Sequence, residues 1–453
     1  MGTVLKFVLP SLLAYIIYRY ATSKEVKVIV DEDGYFGTGV KKPDDPKIKP
    51  FKIDVPEEVL TDLKTRLKDA RIGHSQLEDS NNFYYGFNVN HLQKLKEYWL
   101  TKYDWRKSEA IFNSFPNFVT QIEGLQVHFI HSKASPKYKK VYPALVVHGW
   151  PGNVFEFYKF IPILNDPKSH GINVDFAFDV VAPSIPGYGW SEQPKKTGFN
   201  QIAAARVFRK LMERVGYKKF YLQGGDWGSI ITKLLAAAWP EKVLGLHLNL
   251  LPVTYHENFL ALFHEIIGSY FPSLFFSPNQ APYNFFTKSK NILIESGYMH
   301  LQATKPDTIG TTLNDSPIGL AAYILEKFSV WTNYEDYKPL EDGGLNKKFT
   351  NDELLTIVMV YWVNQNIAAS QRFYREFFLT WDIHILAGKY ITVPTGHASG
   401  INEFFDRLPK EIGSHHFNLT HHSSIGMGHF AAFEAPKPLA TSFFQFVGDL
   451  EKH

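Results

Sequence analysis

Apolar residues fill the stretch from Val4 to Tyr20, with Lys6 and Arg19 as the charged exceptions. A run of that length is at the short end of what crosses a hydrocarbon core of about 30 Å, so residues 1–22 are expected to form a membrane anchor. A charged segment punctuated by Pro43, Pro46 and Pro50 follows and reads as a linker lying on the folded body. Helical spacing then sets in. Pro56 opens a helix with Val59, Leu60, Leu63 and Leu67 on one face, and Asn90 to Tyr103 repeats the pattern with Leu92, Leu95 and Trp99. From Phe118 the period falls to two. Ile122, the turn Glu123-Gly124, then Leu125, Val127 and Phe129 read as a half-buried hairpin.

Four short apolar runs come next, at 144–147, 178–182, 220–222 and 243–250, separated by helix-sized segments. Parallel strands buried on both faces have this appearance, so the expected fold class is α/β with a doubly wound, mostly parallel sheet. Over residues 253–375 the strand rhythm disappears and aromatics accumulate, among them Phe263, Tyr270, Phe271, Phe275, Phe276, Tyr283, Phe285 and Phe286. This segment is expected to be a helical lid inserted into the sheet domain, most of its aromatics filling the lid's own core. Strands resume at Tyr390-Ile391-Thr392-Val393 and near Phe417, and a helix with Leu439, Phe443, Phe444 and Val447 closes the chain. The division expected is thus an anchor (1–22), a linker and helical region (23–117), a core in two parts (118–252 and 376–453) and the lid (253–375).

Composition narrows the function. With 21% charged residues and a net charge of +3, the chain carries no field suited to a polyanion, and nucleic acid is not expected as a partner. Zero cysteines exclude a disulfide framework, a thiolate zinc site and a cysteine nucleophile. An aromatic fraction of 15%, with 37 Phe, suits a thick core or a lipophilic pocket. Arg19, Lys24 and Lys27 follow the apolar run while Lys6 alone precedes its bulk, which puts the body on the cytoplasmic side. The sequons Asn314-Asp315-Ser316 and Asn418-Leu419-Thr420 would then stay unused. The alternative, a signal peptide cleaved after Ala21, would set Arg19 where a small residue is needed.

The chemistry centres on Gly224-Gly225-Asp226-Trp227-Gly228, which follows the apolar Phe220-Tyr221-Leu222 and runs into a helix-like segment. This is the form of a nucleophile elbow with Asp in place of Ser, flanked by glycines because a Cβ would strike the neighbouring backbone. His148-Gly149-Trp150-Pro151-Gly152 follows another buried run, so its loop is expected at the same carboxyl edge of the sheet, where open α/β sheets bind ligands. The Trp150 and Trp227 amides would there form an oxyanion hole. Gly426-Met427-Gly428-His429-Phe430 places His429 in a flexible loop after the last strand, in the order nucleophile, acid, histidine. The acid should follow the strand at 390–393, and spacing leaves Glu403 and Asp406 both open. His415-His416 and His421-His422 suggest a metal cluster but lack nearby carboxylates or thiols, so neither a metal nor a cofactor is expected.

These motifs, with Ser184-Ile185-Pro186-Gly187-Tyr188-Gly189-Trp190-Ser191 and Gly428-His429-Phe430-Ala431-Ala432-Phe433-Glu434, make the chain resemble the microsomal epoxide hydrolases, and within them the insect juvenile hormone epoxide hydrolases. Asp104-Trp105-Arg106 and Asn113-Ser114-Phe115-Pro116 extend the likeness into the N-terminal region. The resemblance implies an α/β-hydrolase fold at the endoplasmic reticulum membrane. It implies Asp226 as nucleophile, His429 as base, Glu403 rather than Asp406 as acid, and Tyr298 and Tyr374 as the lid tyrosines. From the residues alone those two tyrosines are not distinguishable from Tyr255, Tyr270, Tyr283, Tyr323, Tyr334, Tyr337 and Tyr361.

A carboxylate nucleophile suits an epoxide, which has no carbonyl to attack. Asp226 can open the ring by backside displacement, giving an alkyl ester that water must then cleave at the enzyme's own carbonyl. Phenols would protonate the ring oxygen. The expected substrate is a lipophilic epoxide, juvenile hormone or its acid by resemblance, with xenobiotic epoxides as the alternative. A haloalkane dehalogenase, which shares the Asp elbow, and a non-catalytic lipid carrier are the other readings.

Overall fold

The computed structural model describes residues 28–254, 258–277, 283–405 and 407–452. The expected anchor, Tyr255 and the alternative acid Asp406 lie outside the described residues. Among the described residues no helix is long and apolar enough to cross a membrane.

The strands are β1 (Lys49–Pro50), β2 (Asn117–Ile122), β3 (Leu125–Ser132), β4 (Lys140–Val147), β5 (Phe176–Pro183), β6 (Phe220–Gly224), β7 (Val243–Leu248), β8 (Ile391–Gly400) and β9 (Phe417–Ile425). They form one sheet in the order β1-β2-β3-β5-β4-β6-β7-β8-β9. From β5 through β9 neighbours run parallel, and β1, β2 and β3 complete the sheet antiparallel. Ala144, Leu145, Val146 and Leu222 have no exposed surface, because helices cover both faces of the central strands. Helices Gln201–Arg214 and Trp227–Ala238 make the crossovers into β6 and β7.

The hairpin β2–β3 turns on Glu123 (φ 54°) and Gly124 (φ 80°). Two consecutive positive φ values are what a two-residue loop of the favoured hand requires. Asp44 accepts both turn amides, at 2.7 and 2.8 Å, and so ties the proline-rich linker to the body. Phe36 packs edge-on against Phe199 in the same linker, and β1 pairs with β2.

Several boundaries differ from the sequence expectation. Pro56 caps the first helix, which spans Glu57–Lys68, rather than occupying its first turn, and the second helix spans Val89–Thr101. β8 continues past Pro394 to Gly400, where register shifts near Thr395 absorb the proline. The acid loop therefore starts at the end of a long strand. Between β7 and β8 helices run from Phe259 to Gly388. The aromatics named there fill the interior only in part: Tyr283 is buried and Phe275, Phe276 and Phe285 half-buried, while Phe263, Tyr270, Phe271 and Phe286 are exposed. The rest of that interior is built by helices Pro317–Val330, Asn351–Asn364 and Ile367–Leu379, with Phe328, Trp331, Tyr361, Phe373 and Tyr374 buried against the sheet domain.

Candidate active site

Asp226 stands between β6 and helix Trp227–Ala238 with φ 49° and ψ −127°. A non-glycine residue held there costs on the order of 1–3 kcal/mol, a strain tolerated because the surroundings permit no alternative. A Cβ on Gly224 would strike the Gly228 carbonyl, and one on Gly228 would strike the Val147 carbonyl at the end of β4. The elbow is thus clamped against the neighbouring strand, and the Asp226 side chain projects over the carboxyl edge.

The loop after β4 meets it there. The Trp150 N–H donates to Asp226 Oδ1 at 2.7 Å. Gly149 lies so close that a Cβ on it would collide with the Asp226 side chain. His148 holds this loop: its Nε2 accepts from the Ile185 amide at 3.2 Å and its Nδ1 faces the Gly149 carbonyl at 3.0 Å. Burial lowers the His148 pKa to about 4, so the ring is a neutral spacer. Tyr361 donates to the Gly152 carbonyl at 2.7 Å on the far side of the loop. Trp227 is the first residue of its helix, where an amide has no partner within the helix and the dipole favours negative charge.

His429 arrives from the loop after β9. Its Nδ1 lies 3.0 and 3.1 Å from the two Glu403 oxygens, and its Nε2 lies 3.3 Å from Asp226 Oδ2. The second approach is a charge contact without hydrogen-bond alignment, which leaves Nε2 open to a further partner. The His429 amide donates to the Trp331 carbonyl at 3.0 Å, and a Cβ on Gly428 would collide with Thr332. Glu403 is buried three residues after β8, with the Phe405 amide donating to its Oε1 at 2.9 Å. Burial opposes a charged imidazole, but Glu403 and Asp226 outweigh it and hold the His429 pKa well above its usual value.

Tyr298 and Tyr374 come from helices Gly297–Thr304 and Ile367–Leu379 and meet across the Trp150 indole. Tyr298 stacks on that ring at 5.4 Å and Tyr374 stands edge-on at 5.7 Å. The two rings stand edge-on at 6.0 Å, and burial together with the Asp226 charge pushes both pKa values well above 10. Both are therefore protonated donors at neutral pH.

All seven residues singled out in the sequence thus converge on one edge of the sheet. Sequence reasoning missed Trp331, whose ring lies 4.9 Å from His429, and the buried Glu156, and left Tyr361 undistinguished among the candidate tyrosines. Glu156 reads as an ordinary polar position in a turn, and only the fold turns it inward. His415 and His416 precede β9 and His421 and His422 lie in its middle, and among the described residues no three His, Cys, Asp or Glu are grouped to hold a metal.

Two family models match the chain: Epoxide hydrolase N terminus over residues 48–157 and alpha/beta hydrolase fold over residues 142–378. Epoxide hydrolase 1 of Sus scrofa is 45% identical over 99% of both chains. Juvenile hormone epoxide hydrolase 1 of Ctenocephalides felis is 40% identical over 95% of this chain and 92% of its own. The crystal structure of juvenile hormone epoxide hydrolase from the silkworm Bombyx mori superposes with a TM-score of 0.87 and 37% identity, covering 93% of this chain and 99% of that one.

Proposed function

The chain belongs to the epoxide hydrolases, and we propose that it opens a lipophilic epoxide through an ester on Asp226. Asp226 Oδ2 attacks one ring carbon, the carbon–oxygen bond breaks, and Tyr298 or Tyr374 gives its proton to the departing oxygen. Oδ1 is already on the Trp150 amide and becomes the ester carbonyl. Water then attacks the carboxyl carbon and yields its proton to His429, while the Trp150 and Trp227 amides take the charge that develops on Oδ1. Each such donor is typically worth about 3 kcal/mol. Collapse expels the diol oxygen, which recovers the proton from His429; the water's second proton, left on the Asp226 carboxyl, returns to the tyrosinate and restores both groups.

The observation that carries this reading is the chain Glu403–His429–Asp226, with an amide already on the far carboxylate oxygen. In a variant lacking the base, such as His429→Gln, alkylation is retained while hydrolysis stalls. Intact-mass measurement then finds a species heavier by one substrate, and Asp226→Ala yields none. Failure of His429→Gln to accumulate it contradicts the scheme.

Helices Phe259–Gly388 act as the lid that carries the two phenols. The substrate is an isoprenoid-like epoxide, juvenile hormone or its acid. The names of the flea and silkworm relatives support this, as does the aromatic wall of Trp150, Trp331, Tyr298 and Tyr374. A broader range, xenobiotic epoxides included, is the second reading, favoured by the higher identity to a pig epoxide hydrolase whose name specifies no hormone. Turnover of a hormone epoxide against a styrene-like oxide separates them. Residues 4–20 tether the enzyme to the endoplasmic reticulum membrane with its body in the cytoplasm, a reading that rests on the apolar run and the basic residues after it.

A further inference from the structure

Beside the Asp226 carboxylate lies a cavity of about 20 Å³, lined by Glu156, Asn249 and His429 as well as by Asp226 itself. One water needs roughly 10–15 Å³ and two or more polar partners, and this cavity supplies both. Asn249 accepts from Gln223 Nε2 at 3.0 Å, so its oxygen is engaged within the wall. His429 Nε2 has no hydrogen-bond partner among the described residues. Glu156 enters from the turn Val154–Phe157 by passing over Gly152, where a Cβ would collide with its Oε1. The absent side chain at residue 152 makes the room that the carboxyl occupies. The Asn153 amide meets this buried carboxyl, but no side chain is paired to it, and it lines the same cavity as Asp226 and His429.

We propose that Glu156 orients the water that cleaves the Asp226 ester. The proposal rests on the ester reading above. A water in this cavity gives one hydrogen to His429 Nε2 and the other to the Glu156 carbonyl oxygen, which turns a lone pair toward the Asp226 carboxyl carbon. On attack its hydroxyl bonds to that carbon and its proton passes to His429; Glu156 neither gains nor loses a bond. A water held by His429 alone would be free to rotate about that single hydrogen bond.

The electrostatics agree. Burial raises the Glu156 pKa to about 8; Asp226 and Glu434 push the same way, while His429 and the Asn153 backbone amide oppose them. The acid is neutral at pH 7, so it adds no second negative charge beside the forming oxyanion. A neutral carboxyl still presents an accepting oxygen.

Single-turnover kinetics test the assignment by separating ester formation from ester loss. Glu156→Leu is expected to form the ester within twofold of the wild-type rate and to lose it at least tenfold more slowly, with ester visible by intact mass at steady state. Glu156→Gln keeps an accepting oxygen and is expected to restore hydrolysis to within about threefold. It should also abolish the fall in hydrolysis rate expected of the wild type above about pH 8. If Glu156→Leu is unfolded, the Glu156→Gln pH profile decides alone: a retained alkaline fall overturns the proposal. Equal loss of both steps in Glu156→Leu, or unchanged hydrolysis, overturns it as well. If no ester forms in wild type or in His429→Gln, the covalent scheme fails first and the proposal falls with it; ester in those two with normal hydrolysis in Glu156→Leu defeats the proposal alone.

Discussion

His429 Nδ1 sits 3.0 and 3.1 Å from the two oxygens of Glu403, a carboxylate that is itself buried and held by the Phe405 amide. This contact holds the Nδ1 proton against Glu403, so that once Asp226 is esterified and its charge is gone Nε2 becomes the basic nitrogen facing the ester. Glu403→Gln keeps the shape and removes the charge. Turnover is expected to fall by about 10²-fold or more, with the loss confined to ester hydrolysis. Because Glu403 helps raise the His429 pKa, the acid limb of the hydrolysis profile should move to lower pH in this variant. An unshifted limb in single-turnover measurements contradicts the assignment.

Tyr298 and Tyr374 meet edge-on and stand on the same indole, so either is placed to replace the other in part. Each single Tyr→Phe variant should lose roughly tenfold in the rate of ester formation, and the double variant about 10³-fold, as loss of a general acid implies. Full alkylation by the double variant would remove the phenols from the mechanism and favour a dehalogenase-like chemistry.

Gly149→Ala is a test at the backbone. The added Cβ collides with the Asp226 side chain and must displace it from the Trp150 amide. Activity should fall at least 10²-fold, the usual effect of losing one oxyanion donor. Gly228→Ala meets the Val147 carbonyl instead and should appear mainly as a loss of stability, on the order of 1–3 kcal/mol in chemical denaturation.

The elbow at Asp226, the Trp150 loop and the His429 loop were legible because each carries glycines that only a crowded turn requires: Gly224 and Gly228 around Asp226, Gly149 before Trp150, and Gly428 before His429. The strands were legible as apolar runs, since a sheet covered on both faces leaves Ala144 to Val147 no polar side. What is set by tertiary contact was not legible. Spacing left Glu403 and Asp406 equivalent because β8 was expected to stop at Pro394, and nothing local to Tyr298 or Tyr374 separates them from the other tyrosines of that segment. Glu156 was invisible for the same reason, since its burial depends on a missing side chain at Gly152.

Protonation of buried acids should also mark the stability profile. Glu156 and Glu434 are raised from 4.5 to about 8 and about 7 by burial, so the folded state binds these protons more tightly than the unfolded chain. Their stabilising contribution is fully present below pH 4.5 and is lost as the pH rises through the folded values. Melting temperature should therefore fall between about pH 5 and 8, and less steeply in Glu156→Gln. Parallel profiles for the two proteins would show that Glu156 is not held protonated.

The covalent ester is tested most directly by one turnover in water enriched in heavy oxygen, with enzyme in excess over epoxide. If water attacks the carboxyl carbon of Asp226, the peptide containing that residue gains the label and the first diol released carries ordinary oxygen from the enzyme. Label found only in the diol, with residue 226 unlabelled, would mean that water opens the epoxide directly and that no ester exists.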